Sequence, residues 1–108
     1  MAWVLLLAAG LLEIVWAFTM KLSQGFTRVG PTVVTLFAML ASFALLSISM
    51  KTLPLGTAYT VWTGIGAVGA FIVGVAVLNE PLTFVRIVAA LLIVVGLILM
   101  KLSTTASV

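Results

Sequence analysis

Glu13 stands alone as an acidic residue inside an apolar stretch of a chain that holds two carboxylates, five cations, and neither histidine nor cysteine. A carboxylate at mid-membrane depth costs several kcal/mol on insertion scales, and such groups mark ion paths or proton relays. A static ion pair would be the plain alternative. It would need a cation at the same depth, and Lys21, Arg28, Lys51, Arg86 and Lys101 all flank the apolar runs. Hydrocarbon disfavours the charged form of any carboxyl, which makes a group at this depth a proton carrier. Glu80 falls in a connector, so Glu13 is the candidate inside the membrane. Without His or Cys the chain offers no metal site, no disulfide and no imidazole base.

Ala9, Gly10, Trp16, Ala17 and Met20 recur at helical spacing around Glu13 and share its stripe. The small residues leave room beside the carboxylate. Trp16 supplies a flat wall and an indole donor, unless it faces lipid or fills a helix contact. In the third apolar run Tyr59, Trp62, Thr63, Gly66, Ala70 and Gly74 follow the same spacing. Gly66, Ala70 and Gly74 form a small-residue ladder for close helix approach. Gly64 and Gly66 weaken the helix where a hinge would be useful, although packing alone accounts for glycine there. The second run carries Ala38, Ser42, Leu45 and Ser49 on one stripe. The Ser42 hydroxyl either helps orient a carboxylate or returns to a backbone carbonyl. The fourth run places Ala89 and Gly96 seven residues apart among Leu, Ile and Val, a pattern suited to dimerisation rather than chemistry.

Those side chains need helices to hold them. Crossing ~30 Å of hydrocarbon at ~1.5 Å per residue takes ~20 residues. A chain of 108 residues that is 65% hydrophobic and 6% charged therefore accommodates four spans with short connectors and little else. The expected fold is an all-α membrane protein, a single transmembrane domain over residues 1–108. The runs are Ala2 to Met20, Gly30-Pro31 to Met50, Thr57 to Leu78, and a fourth from about Pro81–Thr83 to Met100, followed by Lys101 and a small polar tail. The first run lacks the basic leader and uninterrupted core of a signal peptide, and is read as a retained helix. Trp3 is expected to anchor at the membrane interface, and Glu80 and Arg86 to form a solvated pair of little energetic weight. This composition excludes a soluble enzyme or a nucleotide-binding module, and scattered cations are not a nucleic-acid footprint. No cofactor is implied.

Four crossings put Lys21, Arg28 and Arg86 on one side and Lys51 and Lys101 on the other, so the positive-inside bias is nearly balanced. One reading is a single weakly selected orientation. The other is that both orientations insert and pair as an antiparallel homodimer, giving the inverted symmetry that transporters build around a midplane site. Two Glu13 carboxylates sharing one cavity cannot both ionise comfortably without a cation, so their titrations couple. Protons and a cation would then compete for one site, which yields exchange. A planar guanidinium suits a carboxylate flanked by Trp16, Trp62 and Tyr59, yet these groups specify only a cation. A small dual-topology channel or a helper subunit without transport chemistry is the alternative of another class.

The segments Gly10-Leu11-Leu12-Glu13-Ile14-Val15-Trp16-Ala17, Gly25-Phe26-Thr27-Arg28 with Pro31, and Lys51-Thr52-Leu53-Pro54-Leu55-Gly56-Thr57-Ala58-Tyr59-Thr60-Val61-Trp62-Thr63-Gly64-Ile65-Gly66-Ala67 resemble the small multidrug resistance transporters, and within them the guanidinium-exporter branch. The resemblance implies an antiparallel dual-topology homodimer exchanging protons for cations across a bacterial inner membrane. It implies that Glu13 is the shared proton and substrate carboxylate and that Tyr59 couples occupancy to gating. It also places Trp16, Ser42 and Trp62 in or beside the pocket and makes the fourth helix, through Ala89 and Gly96, the dimerisation helix. Guanidinium is the implied substrate, with a broader exporter of quaternary ammonium or substituted guanidinium cations as the close alternative.

Overall fold

The computed structural model describes the backbone of residues 1–106 and the side chains of residues 1–103. Four helices follow in order, α1 (Ala2–Leu22), α2 (Val29–Ser49), α3 (Leu55–Val77) and α4 (Phe84–Ala106). Each is long and apolar enough to cross a membrane. The expected runs are all helical, with boundaries moved by local chemistry. Leu55 opens α3 directly behind an extended Pro54, earlier than Thr57. Thr83 precedes α4 and its hydroxyl accepts the Arg86 N–H at 3.2 Å, as an N-cap does, so the helix starts at Phe84. At the far end α4 runs past Lys101 through much of the expected polar tail, where Ser103 returns its hydroxyl to the Met100 carbonyl at 3.0 Å. Residues 107–108 of that tail lie outside the described residues.

The connectors are short and locally satisfied. After α1 the Ser23 hydroxyl donates to the Met20 carbonyl at 2.6 Å and accepts the Phe26 N–H at 3.0 Å. Gln24, Gly25 and Phe26 then turn through the left-handed region, with φ of 51°, 75° and 66°. Such reversals force neighbouring helices antiparallel.

The helices lie in the row α2, α1, α3, α4, with α1 packed on both α2 and α3, and α4 packed on α3. This arrangement is a slab, 46 × 35 × 16 Å, whose thin dimension is little more than one helix diameter of ~10–12 Å. Thr35, Ala38, Ser42, Leu46 and Ser49 bury the small and polar stripe of α2 against α1. Thr19 and Thr35 share a hydrogen bond of 2.6 Å across that contact, and Thr35 donates to the Pro31 carbonyl at 2.8 Å. The apolar core comprises Leu6, Ala9, Leu46, Ala58, Val61 and Trp62. Among the described residues α4 buries none, and Leu91, Leu92, Val95, Ile98 and Leu99 are exposed.

Candidate functional site

Along the contact between α1 and α3, side chains of one helix enter gaps left by glycines of the other. Ile65 lies so close to Gly10 that a Cβ there would overlap it, and Ile14 does the same at Gly69. Between these contacts the Glu13 carboxyl lies on the backbone of Gly66, where a Cβ would collide with it. The ladder expected from spacing therefore divides. Gly66 and Gly69, three apart, receive α1, whereas Gly74 receives the Glu80 side chain. Gly64 faces the other way and accommodates Leu97 of α4, so the two glycines flanking Ile65 serve opposite neighbours. Helix α3 is continuous through both.

The Glu13 carboxyl has one oxygen, Oε1, that is buried with no hydrogen-bond partner among the described residues, and Trp16 Nε1 is in the same condition. Buried polar atoms are nearly always satisfied, and a carboxylate oxygen left in this way is an acceptor awaiting a donor. Among the described residues the ion pair joins Arg86 to Glu80, and none is formed by Glu13.

From Trp16, one turn after Glu13, the aromatic residues form a chain. Trp16 meets Phe43 edge-on at 6.2 Å between centroids, Phe43 meets Trp62 at 5.7 Å, and Trp62 meets Tyr59 at 5.6 Å. Phe43 escapes a reading of the sequence because an apolar aromatic in an apolar span breaks no pattern. Its link to Trp16 and Trp62 appears only once α2 is placed. Tyr59 is half exposed at the edge of this chain and Thr63 is exposed.

Ser42 is fully buried and does not touch the carboxyl. Its hydroxyl donates to the Ala9 carbonyl of α1 at 2.7 Å and accepts the Trp62 indole N–H at 3.0 Å. A single hydroxyl thereby joins α1, α2 and α3, and it fixes the Trp62 ring one turn from Glu13. Of the two roles weighed for Ser42, the bond to a backbone carbonyl is the one formed, with the carbonyl on another helix.

A cavity of about 460 Å³ is lined by Trp3, Val4, Leu7, Ile65, Leu97 and Lys101 among others. Its walls are apolar apart from Lys101, whose ammonium lies 5.0 Å over the Trp3 ring. It offers no acceptor for a cation, so its size does not make it the functional site. Among the described residues no three His, Cys, Asp or Glu side chains gather as a metal site would require. Ala89 and Gly96 are both exposed on α4, and Gly96 faces open space.

Comparison with known proteins fits this arrangement. The sequence profile of the Small Multidrug Resistance protein family matches residues 1–93. The chain is 55% identical over 104 residues to proteins named guanidinium exporter in Citrobacter freundii and Salmonella typhimurium, covering 96% of this chain and 99% of each relative. It is 54% identical over the same length to the protein of that name in Escherichia coli K12. With four membrane-crossing helices and relatives of this kind, the chain belongs to the small multidrug resistance family and is a multi-pass protein of the bacterial inner membrane.

Proposed function

We propose that this protein is a proton-coupled antiporter that exports guanidinium, with protons and substrate competing for Glu13. The observation that carries this reading is the buried Glu13 Oε1, set against the Gly66 backbone and without a well-formed hydrogen bond among the described residues. A guanidinium ion brings paired planar N–H donors that match a carboxylate, and the faces of Trp16 and Trp62 provide cation–π surface beside it. The names of the relatives, guanidinium exporters at 55% identity, favour this substrate over other cations. A proton on Glu13 removes the charge and one acceptor that the cation needs. The two ligands therefore exclude one another, and release of one is tied to uptake of the other.

The working unit is an antiparallel homodimer of the whole chain. One protomer leaves Tyr59 and Phe43 of the aromatic chain 54% and 44% exposed, open on one side to a second layer. A second copy inserted in the opposite direction supplies that layer and a second Glu13. The cations permit both insertions, with Lys21, Arg28 and Arg86 at one end against Lys51 and Lys101 at the other. The exposed apolar face of α4, with Ala89 and Gly96, provides an association surface. Gly66 receives the carboxyl, while Gly10 and Gly64 are taken up by packing of Ile65 and Leu97, and Tyr59 beside Trp62 links occupancy to movement.

Reconstituted protein given only a pH gradient should accumulate guanidinium, and Glu13→Gln should stop this while leaving the assembled protein intact. Coupled accumulation that persists in that variant would reject the carboxylate exchange. Equal transport of tetraalkylammonium ions would replace guanidinium with a broader substrate class. Cysteine labels at the C-terminal end should react from both faces of the membrane, whereas labelling from one face alone would rule out the antiparallel pair.

A further inference from the structure

Beyond Glu13, the contact between α1 and α3 runs on toward the end of the bundle that carries Lys21, Glu80 and Arg86. Ala17 lies one turn past Glu13 and Ala70 one turn past Gly66. Between them opens a cavity of about 120 Å³ whose charged walls are Lys21 and Glu80. The reversal after α3 brings Glu80 to this place. Asn79 adopts a left-handed φ of 57°, the Glu80 N–H donates to the Gly74 carbonyl at 3.0 Å, and the Glu80 carboxyl covers Gly74 where a Cβ would overlap it. Two helical turns separate Gly74 from Gly66, so Glu80 lies about 12 Å along α3 from the Glu13 carboxyl.

Arg86 is held independently of Glu80. Its Nη1 donates to the Pro81 carbonyl at 2.7 Å and its guanidinium lies 5.3 Å over the Phe71 ring. The Nη2 to Glu80 Oε1 separation is 3.5 Å, long for an ion pair between two partly exposed groups. Glu80 therefore stands between Lys21, on the wall of this cavity, and Arg86, which lines the neighbouring cavity between α3 and α4. Removing that carboxylate would leave two positive charges beside the approach to a site that takes a cation.

We infer that Glu80 sets the affinity with which cations enter from this end, by cancelling the charge of Arg86 and Lys21 at the mouth of the α1–α3 cavity. The inference rests on the exchanger reading above. Charged clefts with low-dielectric walls concentrate or repel small ions, and salt screens this field over roughly 8–10 Å. Across about 12 Å, one unit charge alters local cation concentration by about two- to tenfold, depending on the effective dielectric. A tether between α3 and α4, the ordinary role of such a pair, would be lost alike in Glu80→Gln, in Arg86→Gln and in the double variant, which would then move KM in one direction.

The test is guanidinium flux against guanidinium concentration, using the full chain in liposomes driven by a pH gradient, at low and high salt. Glu80→Gln should raise KM by about two- to tenfold at low salt with little change in maximal rate, and the increase should shrink at high salt. Glu80→Gln combined with Arg86→Gln should return KM toward wild type, although the ion pair is gone. Arg86→Gln alone should lower KM, which keeps the test decisive if Glu80→Gln fails to assemble. An unchanged KM in Glu80→Gln, or a rise that survives high salt and worsens in the double variant, would overturn the inference and leave the exchanger reading standing. An unchanged or raised KM in Arg86→Gln would do the same. Wild-type protein with no coupled flux would overturn both.

Discussion

Gly66→Ala places a methyl group where the Glu13 carboxyl now sits. The overlapping atoms are the end of a flexible side chain rather than backbone, so the carboxyl gives way and the helices keep their spacing. Crowding of this kind costs about 1 kcal/mol at the mild end of its range. Replacing Gly by Ala inside a helix returns about 1 kcal/mol. Thermal stability should therefore stay close to that of the wild type. Binding should not. A displaced carboxylate forfeits a charge-assisted hydrogen bond to the cation, about 1.5–3 kcal/mol. That corresponds to a roughly 10- to 100-fold weaker Kd. Calorimetric titration of guanidinium into the solubilised protein, paired with thermal unfolding, reads both quantities. Gly56→Ala on the same helix, where a Cβ would meet open space, should leave binding unchanged and raise stability by up to about 1 kcal/mol. Wild-type affinity in Gly66→Ala would remove the seated carboxyl from binding. Weakened binding accompanied by a large loss of Tm would show instead that α1 and α3 had been pushed apart.

Three further outcomes follow from other contacts. Ser42→Ala leaves the Trp62 indole N–H buried without its acceptor and should cost about 1–3 kcal/mol, seen as a lower Tm; an unchanged Tm would show that the hydroxyl does not hold the three helices together. Because a protonated carboxyl excludes the cation, the apparent guanidinium Kd should rise as pH falls, by up to about tenfold per unit for each proton displaced, and a flat isotherm would contradict competition. Gly96→Leu adds bulk to the exposed face of α4 without touching its own protomer, so the fold should persist while dimers dissociate more readily in sedimentation, and undiminished association would move the interface elsewhere.

Much of this was legible in the residues. Four helices follow from the lengths of the uncharged runs, and Glu13 is conspicuous because a lone charge in hydrocarbon has few explanations. The rest depends on which faces meet. Spacing alone favours Gly66, Ala70 and Gly74 as a single ladder, but Glu80 claims Gly74 and Ile14 selects Gly69. Ser42 finds its partner in the Ala9 carbonyl, a group that every residue carries and no sequence pattern can flag. Phe43 joins the aromatic chain from a stripe of α2 that looks lipid-facing. The end of α4 extends past Lys101 because short hydroxyl side chains, Ser103 among them, can return to carbonyls of the preceding turn as readily as they can sit in a tail.

Whether guanidinium displaces a proton from Glu13 can be read by infrared difference spectroscopy on the reconstituted protein. Adding guanidinium should diminish the protonated carboxyl band and raise the carboxylate bands, and neither change should occur in Glu13→Gln. A carboxyl band that stays constant while guanidinium still crosses the membrane would contradict exchange at this residue.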